Sequence, residues 1–296
     1  MTSGLQEASL TAAKKEQGGR PEMVFPLLLL LPAVMLMLAL YALPFASSIY
    51  RSFLTKQGAL TLGNYGKAIE LYLPDVFFTL EVSVLSTAIA AVVSVALATY
   101  LRLADSRLSR AVGELYRFPI FVPFVVVAQM MRTFLAPHGL LNIFLAQVGL
   151  INLDSPLQLF NLEGLTFSFA WKQAPFMVLI ILGGFQMVDD AFIESARSVG
   201  AGMFQVISKI LIPMSQASIS VAVILAFSST VGTFTLPYML IGGKAPTTVT
   251  VDIAHRVNYF GDWGVANALG VFSYIMVFFT AVYYLRYAVR KGIYEV

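Results

Sequence analysis

The chain has 296 residues, 58% of them hydrophobic and only 12% charged, where an ordinary soluble domain carries about a quarter. So few charges cannot cover a water-facing surface, so the composition points to an integral membrane protein, and the formal charge of +3 is then a matter of topology rather than a sign of a nucleic-acid partner. With no cysteine, and with His138 and His255 isolated and read as plain loop residues, disulfide frameworks, thiolate chemistry and histidine metal centres drop out.

Residues 1–22 are polar and read as a cytoplasmic tail. The apolar run MVFPLLLLLPAVMLMLALYALPFA follows Lys14, Lys15 and Arg20 in the manner of a secretory signal. It exceeds the roughly 7 to 15 residues of a signal core and suits a retained helix crossing about 30 Å of hydrocarbon. Further runs of helical length predict six spans, at about 24–46, 78–101, 111–136, 166–188, 216–241 and 265–287. The fold class is therefore all-α, with residues 23–296 forming one six-helix membrane domain. The runs lack the period-two alternation of a barrel, and prolines such as Pro32, Pro44, Pro123 and Pro175 are tolerable where neighbouring helices meet the freed carbonyls.

With the amino terminus inside, inner segments hold Lys14, Lys15, Arg20, Arg102, Arg107, Arg110, Arg197, Lys209, Arg286, Arg290 and Lys291. Outer segments hold only Arg51, Lys56, Lys67, Lys244 and Arg256. The positive-inside rule then puts both termini and the loop 189–215 in the cytoplasm.

Charges within spans are costly, about 2.5 to 3.5 kcal/mol at mid-bilayer. Glu81 stands alone, while Glu114 and Arg117, three apart, read as a mutual pair. Arg132 and Lys172, the latter beside Trp171, either snorkel to the headgroups or face a common cavity. The fifth span carries Ser228, Ser229, Thr230, Thr233 and Thr235 with Phe234 and Tyr238, which serve helix packing or line a polar path.

The loop 189–215 is neither linker nor charge run. Its stretch ESARSVGAGMFQVISKILIP, Glu194 to Pro213, combines small residues with an apolar stripe at helical spacing, which predicts a short helix outside the lipid. Gly200 allows a tight bend, Ala196 and Ala201 allow close approach, and Phe204 and Ile207 offer an apolar surface. The stretch resembles the cytoplasmic signature of permease subunits of binding-protein-dependent ABC importers: Glu-Ala-Ala, three residues, Gly, nine residues, then Ile-x-Leu-Pro. Glu194, Ala196, Gly200, Ile210 and Pro213 hold those places, with Ser195 for the first Ala in Glu-Ala-Ala and Ile212 for Leu. Val122 to Leu145 and Trp171 to Val188 look like carbohydrate-importer permeases, whereas FTLPYMLIGGK and NYFGDWGVANALGV look like polyamine-type ones.

The resemblance implies a coupling helix between the fourth and fifth spans that docks on a separate ATP-hydrolysing subunit, with Glu194, Ser195, Ala196, Gly200, Ala201, Phe204, Ile210 and Pro213 at the joint. It implies two such ATP-binding cassette subunits, a second permease, homologous or identical, and an extracytoplasmic solute-binding protein, all at the cytoplasmic membrane. It also implies a solute path involving Arg132, Trp171, Lys172, Ser229, Thr233 and Tyr238, for a small polar solute, carbohydrate ahead of polyamine. ATP is then used by the partners and no cofactor is bound here; IGGKAPTT, Ile241 to Thr248, lacks phosphate-loop spacing. The competing classes are a self-sufficient channel or secondary transporter, which needs paired intramembrane acids, and an intramembrane enzyme, which needs a clustered acid and base.

Overall fold

The computed structural model describes residues 21–243 and 245–292. The expected polar tail falls mainly on residues 1–20, which lie outside the described residues, as does Lys244. Among the described residues, five helices are long and apolar enough to cross a membrane, or six when one bent pair counts as a single span. The chain divides into two compact units, Met1–Arg51 and Ser52–Val296.

In the first unit α1 (Pro21–Met37) continues through a π turn (Leu38–Ala42) into α2 (Leu43–Ser52). Pro44 has no N–H for the carbonyl four residues back and its ring crowds that carbonyl. The π turn widens the helix just ahead of it, with Leu43 N donating to Leu38 O. The span expected at 24–46 is thus part of a longer rod whose Leu29, Leu36 and Leu40 are all exposed. A helix apolar all round is at home only in lipid or against another apolar surface.

The second unit opens with Asn64, whose buried amide donates to Ser52 O at 2.9 Å and Leu54 O at 2.8 Å at the start of α3 (Gly63–Leu103). At 41 residues, and about 1.5 Å per residue, α3 is far longer than a bilayer core needs. The expected span, 78–101, covers only its later part, because Lys67, Glu70, Pro74 and Asp75 end the apolar window without ending the helix.

A single span at 111–136 does not form. The chain instead makes α4 (Arg107–Leu115), a 3-10 turn (Phe118–Phe121), α5 (Phe124–Leu135) and α6 (Leu140–Gln147). Pro119 and Pro123 are the cause: neither has an N–H, and Val122, just before Pro123, is held extended at ψ 120°. Glu114 and Arg117 do pair, at 3.7 Å, on an exposed surface ahead of α5 rather than inside a span. Pro119 O accepts from Val122 N within the turn at 3.3 Å, and Lys172 adds a charged donor to the carbonyls of the broken backbone: its ammonium donates to Pro119 O at 2.8 Å, Ile120 O at 3.3 Å and Val122 O at 2.7 Å.

Lys172 belongs to α7 (Leu162–Gln186), the central helix, in which Leu165, Phe169, Met177, Ile181 and Phe185 are fully buried. This helix packs against α3 and against the chain beyond the segment 189–215. There the expected span 216–241 breaks into α11 (Gln216–Gly232) and α12 (Thr235–Ile241), with Thr250 Oγ1 donating to Thr233 O at the break. Upstream, the one short helix expected in 189–215 is three pieces, α8 (Asp190–Ser198), α9 (Met203–Val206) and α10 (Ile212–Met214), the last two joined by a π turn (Ile207–Leu211). After α12 come α13 (Val249–Asn258), too short to span, and α14 (Trp263–Gly292), which extends the expected 265–287 at both ends. His255 lies in α13, not in a loop, because that amphipathic decapeptide has no long apolar run to reveal it.

The segment 245–258 is tied to the early turns of α3 by polar contacts: Thr247 N donates to the Asp75 carboxylate at 2.8 Å and Val249 N to Thr79 Oγ1 at 2.9 Å. Asp252 is buried beside them, and its Oδ2 has no hydrogen-bond partner among the described residues. Burial, and then the nearby charge of Asp75, push its pKa up to about 8, against a smaller opposing pull from Arg256.

These contacts make two predictions. Lys172→Met should lower the thermal stability of the detergent-solubilised protein by about 2 to 4 kcal/mol, since buried carbonyls lose charge-assisted donors; an unchanged melting temperature refutes the capping role. Asp252 keeps in the folded state a proton that the unfolded chain releases above about pH 4, so its stabilising share is full below that pH and is lost as pH rises through about 8. Asp252→Asn should therefore match wild type in melting temperature at or below about pH 4 and exceed it by a growing margin up to about pH 8, whereas a constant difference across pH contradicts this assignment.

Candidate functional site

The segment 189–215 is built by local rules. Asp189 caps α8, its carboxylate accepting from Ala191 N at 2.9 Å, and Asp190 adds a second acid where the helix dipole is positive. At the other end Gly200 N donates to Arg197 O at 2.9 Å and Ala201 N to Ala196 O at 3.0 Å. That is a Schellman cap, and it needs a left-handed residue: Gly200 has φ +86°. Nothing stands within 4 Å of a Cβ built there, so the requirement is conformational, not steric. Past Gly202 the chain re-enters helix, and the π turn Ile207–Leu211 precedes Pro213 in the same register as the first π turn precedes Pro44. The piece Met203–Met214 then meets α11 at a bend of 75°.

This geometry sorts the side chains into two faces. Ile193, Val206 and Leu211 are buried, and Ala196, Ala201 and Ile210 pack on the same core cluster, which includes Phe185, Ala98 and Ala222. Glu194, Ser195, Gly200 and Pro213 are exposed. Phe204 is 80% exposed and Val199 86%, and Met187, Phe192 and Met203 are exposed as well, with Met203 and Phe204 lining an apolar groove beside Val92, Val95, Tyr100 and Leu103 of α3. Of the residues singled out in the sequence, Ala196, Ala201 and Ile210 therefore anchor the segment, and Phe204 is presented outward. Met187, Phe192, Val199 and Met203 escape a sequence reading because their apolar character alone does not separate inward from outward.

One further residue gives no sign of its role in the sequence. Arg102, there only a topology signal, sits at the end of α3 with its side chain 15% exposed. Its guanidinium donates to Phe185 O and Val188 O, each at 2.9 Å, and to the Asp190 carboxylate at 2.6 Å. The interaction spans more than eighty residues of sequence, so no local pattern signals it.

Among the described residues, those expected along a solute path make separate contacts. Lys172 is 8% exposed and turned onto the carbonyls of the 3-10 turn, with its ammonium 5.3 Å from the Phe124 ring centre. Neither snorkelling nor a cavity shared with Arg132 describes it. Arg132 is exposed and donates weakly to Met239 O at 3.4 Å. Trp171 lines an apolar groove of about 660 Å³ with Gln129, Thr133 and Phe167. Ser229 and Thr233 are joined, Thr233 Oγ1 donating to Ser229 O at 2.6 Å. Tyr238 stacks on Phe234 with ring centres 4.9 Å apart and continues edge-on to His255 and from there to Tyr259.

Comparison with known proteins places this architecture. The family described as binding-protein-dependent transport system inner membrane component matches residues 90–294, more than half of the chain. The chain is 26% identical over 277 residues to the trehalose/maltose transport system permease protein MalF of Thermococcus litoralis, covering 88% of this chain and 92% of that protein. It is 27% identical over 214 residues to the spermidine/putrescine transport system permease protein PotB of Escherichia coli, covering 68% of this chain and 76% of that one. In fold it is similar to a chain in the crystal structure of a bacterial ABC transporter involved in the import of the acidic polysaccharide alginate, with TM-score 0.70, 21% identity and coverage of 90% and 96%.

Proposed function

The chain belongs to the family of binding-protein-dependent transport system inner membrane components, and from that premise we propose that the face of 189–215 is where ATPase subunits drive solute import through this permease. The observation that carries the reading is the pairing of a left-handed Gly200 cap with the outward apolar side chain of Val199 beside it and, past the turn, the exposed Met203 and Phe204. A water-facing segment gains nothing from such a face unless a partner covers it, and aromatic and methionine side chains are favoured at the centres of interfaces. The fixed turn presents that face at one angle to the 75° bend leading into α11, which suits transmission of a push.

On this reading 189–215 and both termini are cytoplasmic, which the distribution of arginine and lysine supports. The assembly comprises two ATP-binding cassette subunits, a second permease and an external solute-binding protein, and ATP is consumed by the partners. Alternating access, rather than a fixed pore, moves the solute.

A carbohydrate is the solute that the surroundings favour. Around the break between α11 and α12, Phe234 and Tyr238 offer stacked aromatic faces and Ser229 and Thr233 offer hydroxyls, a combination suited to sugar rings. A polyamine calls for carboxylates along the path, and the residues proposed for it include none, while Arg132 would repel a polycation. The likeness to the trehalose/maltose permease also extends over more of this chain than the likeness to the spermidine/putrescine permease.

The test is to reconstitute the chain with its ATPase subunits. Glu194→Lys and Gly200→Trp should abolish ATPase association while the protein still inserts in membranes, the glycine change adding about 1 to 2 kcal/mol of left-handed strain. Wild-type association in both variants rejects the proposed surface. Uptake by the isolated chain in liposomes, without ATPase subunits, favours a self-sufficient transporter. Competition between a disaccharide and a polyamine for uptake by the full assembly decides between those two classes of cargo.

A further inference from the structure

We propose that Arg102 is the joint that carries movement of the segment 189–215 into the transmembrane helix α3, making it a positioning residue for coupled transport; this rests on the reading of that segment as the ATPase-facing surface. The guanidinium occupies the meeting point of three elements. It is fixed to the last turn of α3, holds carbonyls at the end of α7 through Phe185 and Val188, and grips Asp190 at the start of α8. A planar, always charged fork can serve several acceptors in fixed directions, which a lysine ammonium on a flexible stem cannot do with the same geometry.

The surrounding contacts cannot substitute for it. Val188 and Ile193 pack on the shared core with Ala98 and Phe185, but apolar burial is non-directional and tolerates sliding of one surface over another. Directional hydrogen bonds fix the register of α8 against α3. The carboxylate of Asp190 is largely exposed while the Arg102 side chain is largely buried, so the acid lies on the moving surface and the cation lies in the body. A push on α8 is then delivered to α3 as translation instead of being absorbed by slippage at residues 187–190.

A residue that only caps carbonyls would, when weakened, lower stability and reduce transport and ATP hydrolysis together. A joint behaves differently. In the reconstituted assembly, Asp190→Asn, which spares both carbonyl contacts, and Arg102→Lys, which keeps the charge but loses the fork, should retain ATPase association and substantial ATP hydrolysis. Solute moved per ATP should fall about tenfold, the scale of a typical allosteric coupling. Arg102→Lys should lose more than Asp190→Asn. If uptake and hydrolysis fall in equal proportion, or if transport per ATP is unchanged in both variants, Arg102 is not a joint. The outcome is separable from the parent reading: failure of that reading appears as intact ATPase association in Glu194→Lys and Gly200→Trp, whereas failure here leaves those two variants uncoupled.

Discussion

The structure depends on what happens to a backbone carbonyl that loses its helical partner in an apolar medium. Each such group costs several kcal/mol unless a donor is found, because lipid offers none. The chain places prolines in or beside its apolar runs and then supplies donors from elsewhere. Lys172 closes the carbonyls around Pro119 and Pro123, Thr250 serves Thr233 at the interruption between α11 and α12, and Arg102 closes the end of α7. Where no side chain is at hand, at Pro44 and Pro213, the helix itself widens by a π turn and keeps its own hydrogen bonds. Charges that look like liabilities on a hydropathy plot are, in three dimensions, the remedy for interruptions far away in sequence.

That relation explains which features can be read from the residues and which cannot. Long apolar runs announce themselves, so the existence of most membrane helices and the all-α class emerge from composition and run length. Local chemistry is equally readable: Gly200 sits where a Schellman cap demands a positive φ, and its place in the Glu194-to-Pro213 stretch is conspicuous in the residues alone. Boundaries are less accessible. The early turns of α3 contain Lys67, Glu70 and Asp75, and hydropathy ends there although hydrogen bonds from Thr247 and Val249 keep that region in place. A short amphipathic helix such as α13 leaves no long run, and its identity depends on what it packs against.

The expected solute path shows the same limit from the other direction. Lys172 and Arg132 group together in one dimension because both are basic and both lie in expected spans. Depth does not give direction, and the ammonium of Lys172 is consumed by three carbonyls. The residues that do associate, Phe234 with Tyr238 and Thr233 with Ser229, lie around one interruption of a helix. Irregular backbone at membrane depth is tolerated where protein or a polar cavity surrounds it, so the break between α11 and α12 is a better guide to a polar path than the charges are.

The two ends of the segment 189–215 are held by opposite kinds of contact, and the asymmetry bears on how it can move. At its start the Arg102 fork imposes direction. At its finish α11 crosses α7 at very short range: a Cβ added to Gly184 would stand 2.5 Å from Ser218 Cβ and 3.4 Å from Ser215 Cβ. Small residues at such a crossing let backbones approach closely, and the resulting van der Waals contact resists separation while leaving rotation about the contact point comparatively free. A segment pinned in direction at one end and pivoted at the other does not translate as a rigid block. On the proposed coupling reading, force applied to the segment would turn α11 about Gly184 while drawing on α3 through Arg102, so that the two helices flanking α7 would respond unequally, as opening one side of a helical bundle while closing the other requires.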